Sequence, residues 1–296
     1  MNIYDIHKAN PDIFTQLTLK DQLFLYYKCP QTDKIIQLYS NHNQLAFTIS
    51  GKRIIRHGDN KWITNRNQGI LLKRCAFLQE IPADYSDWEV LVLYLKDDYL
   101  RNIFEEFRPY LNLSKLPKVG VKMIQEFEVN DQIRNCYESL LPYFSKPQVL
   151  PDSIFEAKFK ELLFNILVHP ANNQLLAHVN QLISEYVISI WEVMEVSYCY
   201  DLKISEFAAI ATRSTATFRR DFEKYYRTTP GKWLTKRRLE KARLLLQTSE
   251  KRIGDITFEC GFKNISHFSR IFKEKFNLSP NQYRMLNNQS KQYDRA

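Results

Sequence analysis

The chain has 296 residues, 44% hydrophobic and 25% charged, with a formal net charge of +9. That composition excludes a disordered or fibrous chain and is enough for two domains, each with its own core. Its five cysteines, Cys29, Cys75, Cys136, Cys199 and Cys260, never form C-x-x-C; this argues against a disulfide framework or thiolate zinc site and for reduced thiols in a cytoplasm.

The start, MNIYDIHKANPDIF, lacks the basic-then-apolar layout of a signal peptide. Apolar runs such as VLVLYL at 90–95 fall far short of the ~20 residues that cross a bilayer, so a membrane is not an expected partner. From about 23 to 95 short β-rich runs alternate with turns: LAFTIS, RIIRH, KWIT, ILLK, CAFLQEI and EVLVLYL, with GK, GDN and NRNQG between the earlier ones. This spacing predicts an antiparallel sandwich or small barrel. Trp62, Phe77 and Trp88 in these runs are either core or the lining of a ligand pocket. His42 and His57 stand isolated, without the H-x-H and following carboxylate of a metal-holding barrel, so no metal, cofactor or catalytic site is expected.

Beyond Asp97 the spacing turns helical, over 98–108, 120–144, 153–168 and 174–198. The third segment opens with Ser153-Ile154-Phe155-Glu156, a capping-box spelling, and stops at His169-Pro170. It carries Phe155, Phe159, Leu162, Leu163 and Ile166 on one apolar stripe, which either packs on its own domain or pairs with its copy in a homodimer. PANNQ, at 170–174, marks a linker.

Charge is unevenly placed. Residues 200–296 hold 21 Lys+Arg against 10 Asp+Glu, leaving 21 against 23 for the rest. A cationic third of the chain points to a polyanion. Within it FRRDFEKYYRTTP (218–230) returns as FSRIFKEKFNLSP (268–280), displaced by 50 positions. On a helix Phe268, Ile271, Phe272 and Phe276 share one face, while Ser266, Arg270 and Lys273 lie opposite. In the first copy Phe218, Phe222, Tyr225 and Tyr226 form the back, with Ala216, Arg219, Arg220 and Lys224 in front. Such a front suits a DNA major groove.

A shorter helix precedes each copy. ISEFAAIA (204–211) leads to Ser214, and IGDITFEC (253–260) to Gly261 and Asn264, Ser214 and Asn264 being caps. The offset here is 49, so the second turn is one residue longer. Each pair reads as a helix-turn-helix. Between them GKWLTKRRLEKARLLLQ (231–247), opened by Thr229-Pro230, predicts one amphipathic helix about 25 Å long. Arg238 falls inside its apolar arc and is expected to pair internally, with Glu206 or Asp255.

On these motifs, residues 185–286 resemble the DNA-binding region of AraC/XylS-family transcription regulators. LTKRRLEKARLLL (234–246) and IGDITFECGFKNISHFSRIFKEKFNLSPNQYR (253–284) carry the resemblance, and ISEFAAIATRSTATFRRDFEKYYRTTP (204–230) carries it less closely. The resemblance implies an α+β protein: an N-terminal cupin-like antiparallel β-barrel (about 23–95) with dimerisation helices (about 97–168), then two helix-turn-helix units joined by a linker helix. The expected scheme is a regulatory and dimerisation domain at 1–170, a linker at 171–184, the DNA-binding domain at 185–286 and a tail at 287–296. The family's base-contact positions fall on Thr215, Ala216, Arg219 and Arg220, and on Ser266, His267, Ser269 and Arg270; Thr217 completes the first helix's front and Lys273 is placed at a phosphate, as are Lys263 and Arg227. Three positions depart from the family pattern: Thr257 where alanine is usual, Gly254 inside a short helix, and Arg213 at a turn position that often prefers glycine.

The function implied is a cytoplasmic, sequence-specific regulator of promoter DNA, an activator acting with RNA polymerase. It is expected to be a homodimer, controlled through its N-terminal domain by a small molecule or a protein effector. A constitutive or architectural DNA-binding protein and a DNA-repair enzyme are the alternatives.

Overall fold

The computed structural model describes residues 1–84, 87–119, 122–145, 151–183 and 190–293. The chain divides into two compact units, Met1–Ile188 and Ser189–Ala296.

The first unit opens with α1 (Ile3–Ala9), capped by the Asn2 side chain. The strands are β1 (Thr15–Leu19), β2 (Gln22–Lys28), β3 (Ile35–Ser40), β4 (Asn43–Ser50), β5 (Arg53–His57), β6 (Asn60–Thr64), β7 (Gln68–Leu72), β8 (Cys75–Glu80), β9 (Glu89–Leu95) and β10 (Ile124–Glu128). They form a six-stranded sheet, β1-β2-β9-β4-β7-β10, and a four-stranded sheet, β3-β8-β5-β6. Neighbouring strands are antiparallel throughout. Among the described residues no ladder joins the two sheets, so they form two open sheets and not the closed barrel expected.

The helices of this unit are α2 (Asp97–Phe107), α3 (Asp131–Glu138), α4 (Pro142–Ser145), α5 (Asp152–Val168) and α6 (Asn173–Ile183). Strand β9 explains why its sequence is apolar without a break. Leu91, Leu93 and Leu95 enter a core shared with the helices, while Val90, Val92 and Tyr94 enter a second core with Phe14, Leu25, Tyr27 and Trp88. A strand covered on both faces loses the polar alternation of a half-exposed one. Phe77 and Trp88 are core residues, and the Trp88 indole donates to Thr48 Oγ1 at 3.0 Å. Trp62 borders a cavity together with His57, Lys61 and Met123.

Several expectations need correction. The segment 120–144 is not one helix: Ile124–Glu128 pairs with β7, and the Phe127 ring lies over Gly69, where an added Cβ would meet it at 2.1 Å. That pairing overrides the helical propensity of its glutamates and glutamine. Ser153 is not a cap, because α5 starts one residue earlier after Pro151 with no side-chain cap bond; Glu156 instead pairs with Lys20. The dimer stripe is covered by the chain itself. Phe155, Phe159, Leu162, Leu163 and Ile166 are all buried, the two phenylalanines standing edge-on to Phe24 at 5.0 and 5.2 Å. Nor are the described residues of the expected linker 171–184 a linker: Leu175, Leu176, Val179, Leu182 and Ile183 of α6 belong to the same core.

The second unit is α-helical among the described residues: α7 (Ile190–Ser197), α8 (Ile204–Ile210), α9 (Thr215–Tyr226), α10 (Pro230–Thr248), α11 (Ile253–Glu259), α12 (Ile265–Phe276) and α13 (Pro280–Tyr293). Residues 184–189, which the expected helix 174–198 includes, lie outside the described residues. Most of the expected tail, 287–293, is the end of α13.

Candidate nucleic-acid interface

Both recognition helices are built by the same local devices. In the first, the Ser214 hydroxyl accepts from Thr217 N at 3.2 Å, and α9 ends at Arg227 with φ 54°. In the second, Asn264 Oδ1 accepts from His267 N at 3.0 Å, and α12 ends at Asn277 with φ 60°. These caps satisfy backbone groups that a helix end leaves without partners. Phe218, Phe222, Phe268 and Phe272 are fully buried behind them.

The repeat extends past the recognition helices. Thr229 caps α10 with Pro230 at its first turn, and Ser279 and Gln282 cap α13 reciprocally at 3.3 and 3.0 Å with Pro280 in the same place. Fifty positions apart, Trp233 packs on Phe222 and Tyr226 (6.0 and 5.6 Å), and Tyr283 packs on Phe272 and Phe276 (5.6 and 6.1 Å). The start of α10 therefore closes the first unit as α13 closes the second. Its far half, Leu239, Ala242 and Leu246, enters the core of the second unit with Ile256, Cys260, Phe262, Phe268 and Phe272. One helix of 19 residues, about 28 Å long, thus belongs to both readers.

The front faces are open. Ala216, Arg219 and Arg220 are exposed on α9, with Thr215 and Thr217 half-buried; Ser266, His267, Arg270 and Lys273 are exposed on α12, with Ser269 half-buried. Thr217 also accepts from the Ser214 hydroxyl at 2.9 Å, so it serves the cap. Arg220 has Asp221 at 3.5 Å and Arg270 has Glu274 at 2.8 Å. Such exposed pairs hold a side chain by under about 1 kcal/mol, so an anion or a guanine edge can displace the carboxylate. Among the described residues Arg219 and Lys273 have no ion-pair partner.

The departures from the family pattern are resolved locally. The Thr257 hydroxyl donates to Ile253 O at 2.7 Å inside the core. Gly254 faces α12: an added Cβ would lie 3.3 Å from Ile265 Cδ1. The left-handed turn residue is Thr212, with φ 54°, not Arg213. Arg238 does pair internally, but with the carbonyls of Tyr198 (2.6 Å) and Tyr200 (2.8 Å); Glu206 accepts instead from Lys203 N at 2.7 Å. Nothing in the sequence signalled a backbone partner, since carbonyls carry no residue identity.

Burial pushes the Cys260 thiol up to about 12, and all five cysteines are free. His57 is buried with Nδ1 2.7 Å from Ala76 O, and His42 stacks on Tyr4 at 3.9 Å. Among the described residues no group of three His, Cys, Asp or Glu is placed to hold a metal, and no helix is long and apolar enough to cross a membrane.

Residues 207–285 match a helix-turn-helix domain family, and residues 43–178 match the ExsA N-terminal regulatory domain. The HTH-type transcriptional regulator ExsA of Pseudomonas aeruginosa is 22% identical over 236 residues, 80% of this chain and 84% of that protein. The chain is an AraC-family transcription regulator. Among other relatives of this AraC-family regulator, the thermoregulatory protein LcrF of Yersinia pestis is 27% identical over 197 residues (67% of this chain, 72% of LcrF). The activator RhaS of Klebsiella pneumoniae is 34% identical over 108 residues, 36% of each chain. The solved structure of ToxT from Vibrio cholerae aligns over 89% of this chain and 98% of its own, with 16% identity and a TM-score of 0.41. The relatives are transcription regulators, not enzymes, and the AraC-family chain is of their kind.

Proposed function

We propose that the protein binds promoter DNA sequence-specifically by placing α9 and α12 in successive major-groove segments of one duplex. Arg219, Arg220 and Arg270 read base edges with Thr215, Ala216, Ser266, His267 and Ser269; Lys273, Lys263 and Arg227 meet phosphates. The observation that carries this reading is the twofold construction: two capped helices, each with a buried aromatic back and an exposed polar and cationic front, share one 19-residue helix. Adjacent major-groove entries on one face of B-DNA lie ~34 Å apart, a separation suited to two readers on one helix. The fronts differ, Thr215-Ala216-Thr217 against Ile265-Ser266-His267, which favours two distinct half-sites over architectural binding.

The output is activation of transcription, with RNA polymerase and in the cytoplasm; the names of two relatives of this chain, the transcriptional activators VirF and RhaS, support the activation. Control enters through the N-terminal unit. A cavity of about 240 Å³ beside α1, lined by Ile3, His7, Phe14, Tyr27, Leu38 and Gln79 among others, supports a small, mostly apolar effector; the match to a regulatory domain supports control through this unit by a small molecule or a protein alike. The working form is a homodimer whose contact lies elsewhere than the α5 stripe. Genome-wide mapping of bound sites tests the reading: a bipartite motif is expected, and binding without a motif would overturn it.

A further inference from the structure

The two readers are joined covalently by α10 alone, with short loops at each end, Arg227–Thr229 and Ser249–Arg252. Packing at its two ends lets α10 set the distance between the readers, and their relative angle rests on how firmly each end is held. A second, non-covalent connection exists in the loop between α7 and α8, residues 198–203. It runs directly into α8, the first helix of the first reader, and touches both α10 and the turn of the second reader.

The contacts are specific. Arg238 of α10 donates from Nε to Tyr198 O and from its terminal nitrogen to Tyr200 O. Gly261, in the second reader's turn with φ 83°, lies so close to this loop that an added Cβ would fall 2.6 Å from Cys199 O and 3.0 Å from Arg238 Nε. Lys263, two residues on, pairs with Asp201 at 2.9 Å. Tyr200 and Leu202 are buried, anchoring the loop from below. Tyr198 stands edge-on to Trp233 at 6.5 Å, under the Arg237 guanidinium at 5.3 Å, and Arg237 in turn holds Glu195 of α7 at 2.6 Å.

We propose that Arg238 is a positioning residue for DNA recognition: by clamping the 198–203 loop onto α10 and the Gly261 turn, it fixes the angle between the two recognition helices. The proposal rests on the two-reader function above. Arg238 touches no DNA. It acts through the loop, closing a ring of contacts that α10 cannot close alone. Its fork supplies two donors at a set separation, so one residue holds two carbonyls of a segment that lacks helical or strand bonding.

The test measures affinity for a mapped site and for duplexes in which one or the other half-site is scrambled. In the wild type the intact site should exceed either single half-site strongly, because the second contact is intramolecular. Arg238→Met keeps the apolar stem and removes the fork. It should lower affinity for the intact site about tenfold or more, through lost alignment, while single half-site affinities stay nearly unchanged. It should also blunt the penalty for inserting one base pair between the half-sites. Arg238→Lys, which can reach one carbonyl, should fall between and serves as the measurement if the methionine variant melts below assay temperature. Equal losses on intact and single half-sites, or no loss on either, would overturn the proposal. If the wild type itself gained nothing from the second half-site, the two-reader function would fail instead.

Discussion

Thr212 and Gly261 occupy the same place in the two readers, and both are left-handed, with φ 54° and 83°. Thr212 N bonds to Ala209 O and Gly261 N to Phe258 O, at 3.0 and 2.9 Å. A β-branched residue pays a steric penalty there that glycine does not. Thr212→Gly should therefore stabilise the helical unit by up to about 1 kcal/mol, the gain reduced by glycine's freedom in the unfolded chain. Gly261→Ala should destabilise it, because the new Cβ meets both the strained backbone and Cys199 O. Urea unfolding of both variants checks the pair, and equal effects of one sign would contradict it.

Base reading and phosphate contact separate by salt. Arg220→Ala and Arg270→Ala should each cost about 1–3 kcal/mol on the mapped site and relax preference at one half-site. Lys273→Gln should weaken binding to all sequences alike and lower the salt slope by about one. Titrations on specific and scrambled duplexes at several salt concentrations measure both.

Phe159 is fully buried against Phe24 and Tyr99. Phe159→Ala should lower stability by about 3–5 kcal/mol. Because the residue is core within one chain, the drop in Tm should not depend on protein concentration, as it would at a dimer seam.

Acid should weaken the N-terminal unit. Burial lowers His7 from 6.5 to about 3, and its Nδ1 lies 2.9 Å from the Tyr94 hydroxyl. Burial also lowers His42, His57 and His178. The unfolded chain binds these protons first, so stability is full above about pH 6.5 and is lost progressively as pH falls toward 3. His7→Gln should flatten the decline of Tm between pH 7 and 5; an unchanged slope would assign the loss to other groups.

The sequence by itself determined the helical unit: the repeat, its caps at Ser214, Asn264 and Thr229, the one-residue difference between turns, and α10. These are local events, each set by residues within a turn or two, and local chemistry is written locally. In the N-terminal unit β4 to β9 were legible for the same reason, while β10 was not, because its state depends on Gly69, 58 positions before Phe127. The cover of α5 stayed open between its own domain and a second copy, because an apolar stripe states that it is covered and not by what; Phe24 of β2 stands against it. Arg238 showed in its sequence position that it must be satisfied inside, but two backbone carbonyls 40 and 38 residues away supplied the partners. Only the tertiary structure could choose them, since a carbonyl is the one acceptor every residue shares.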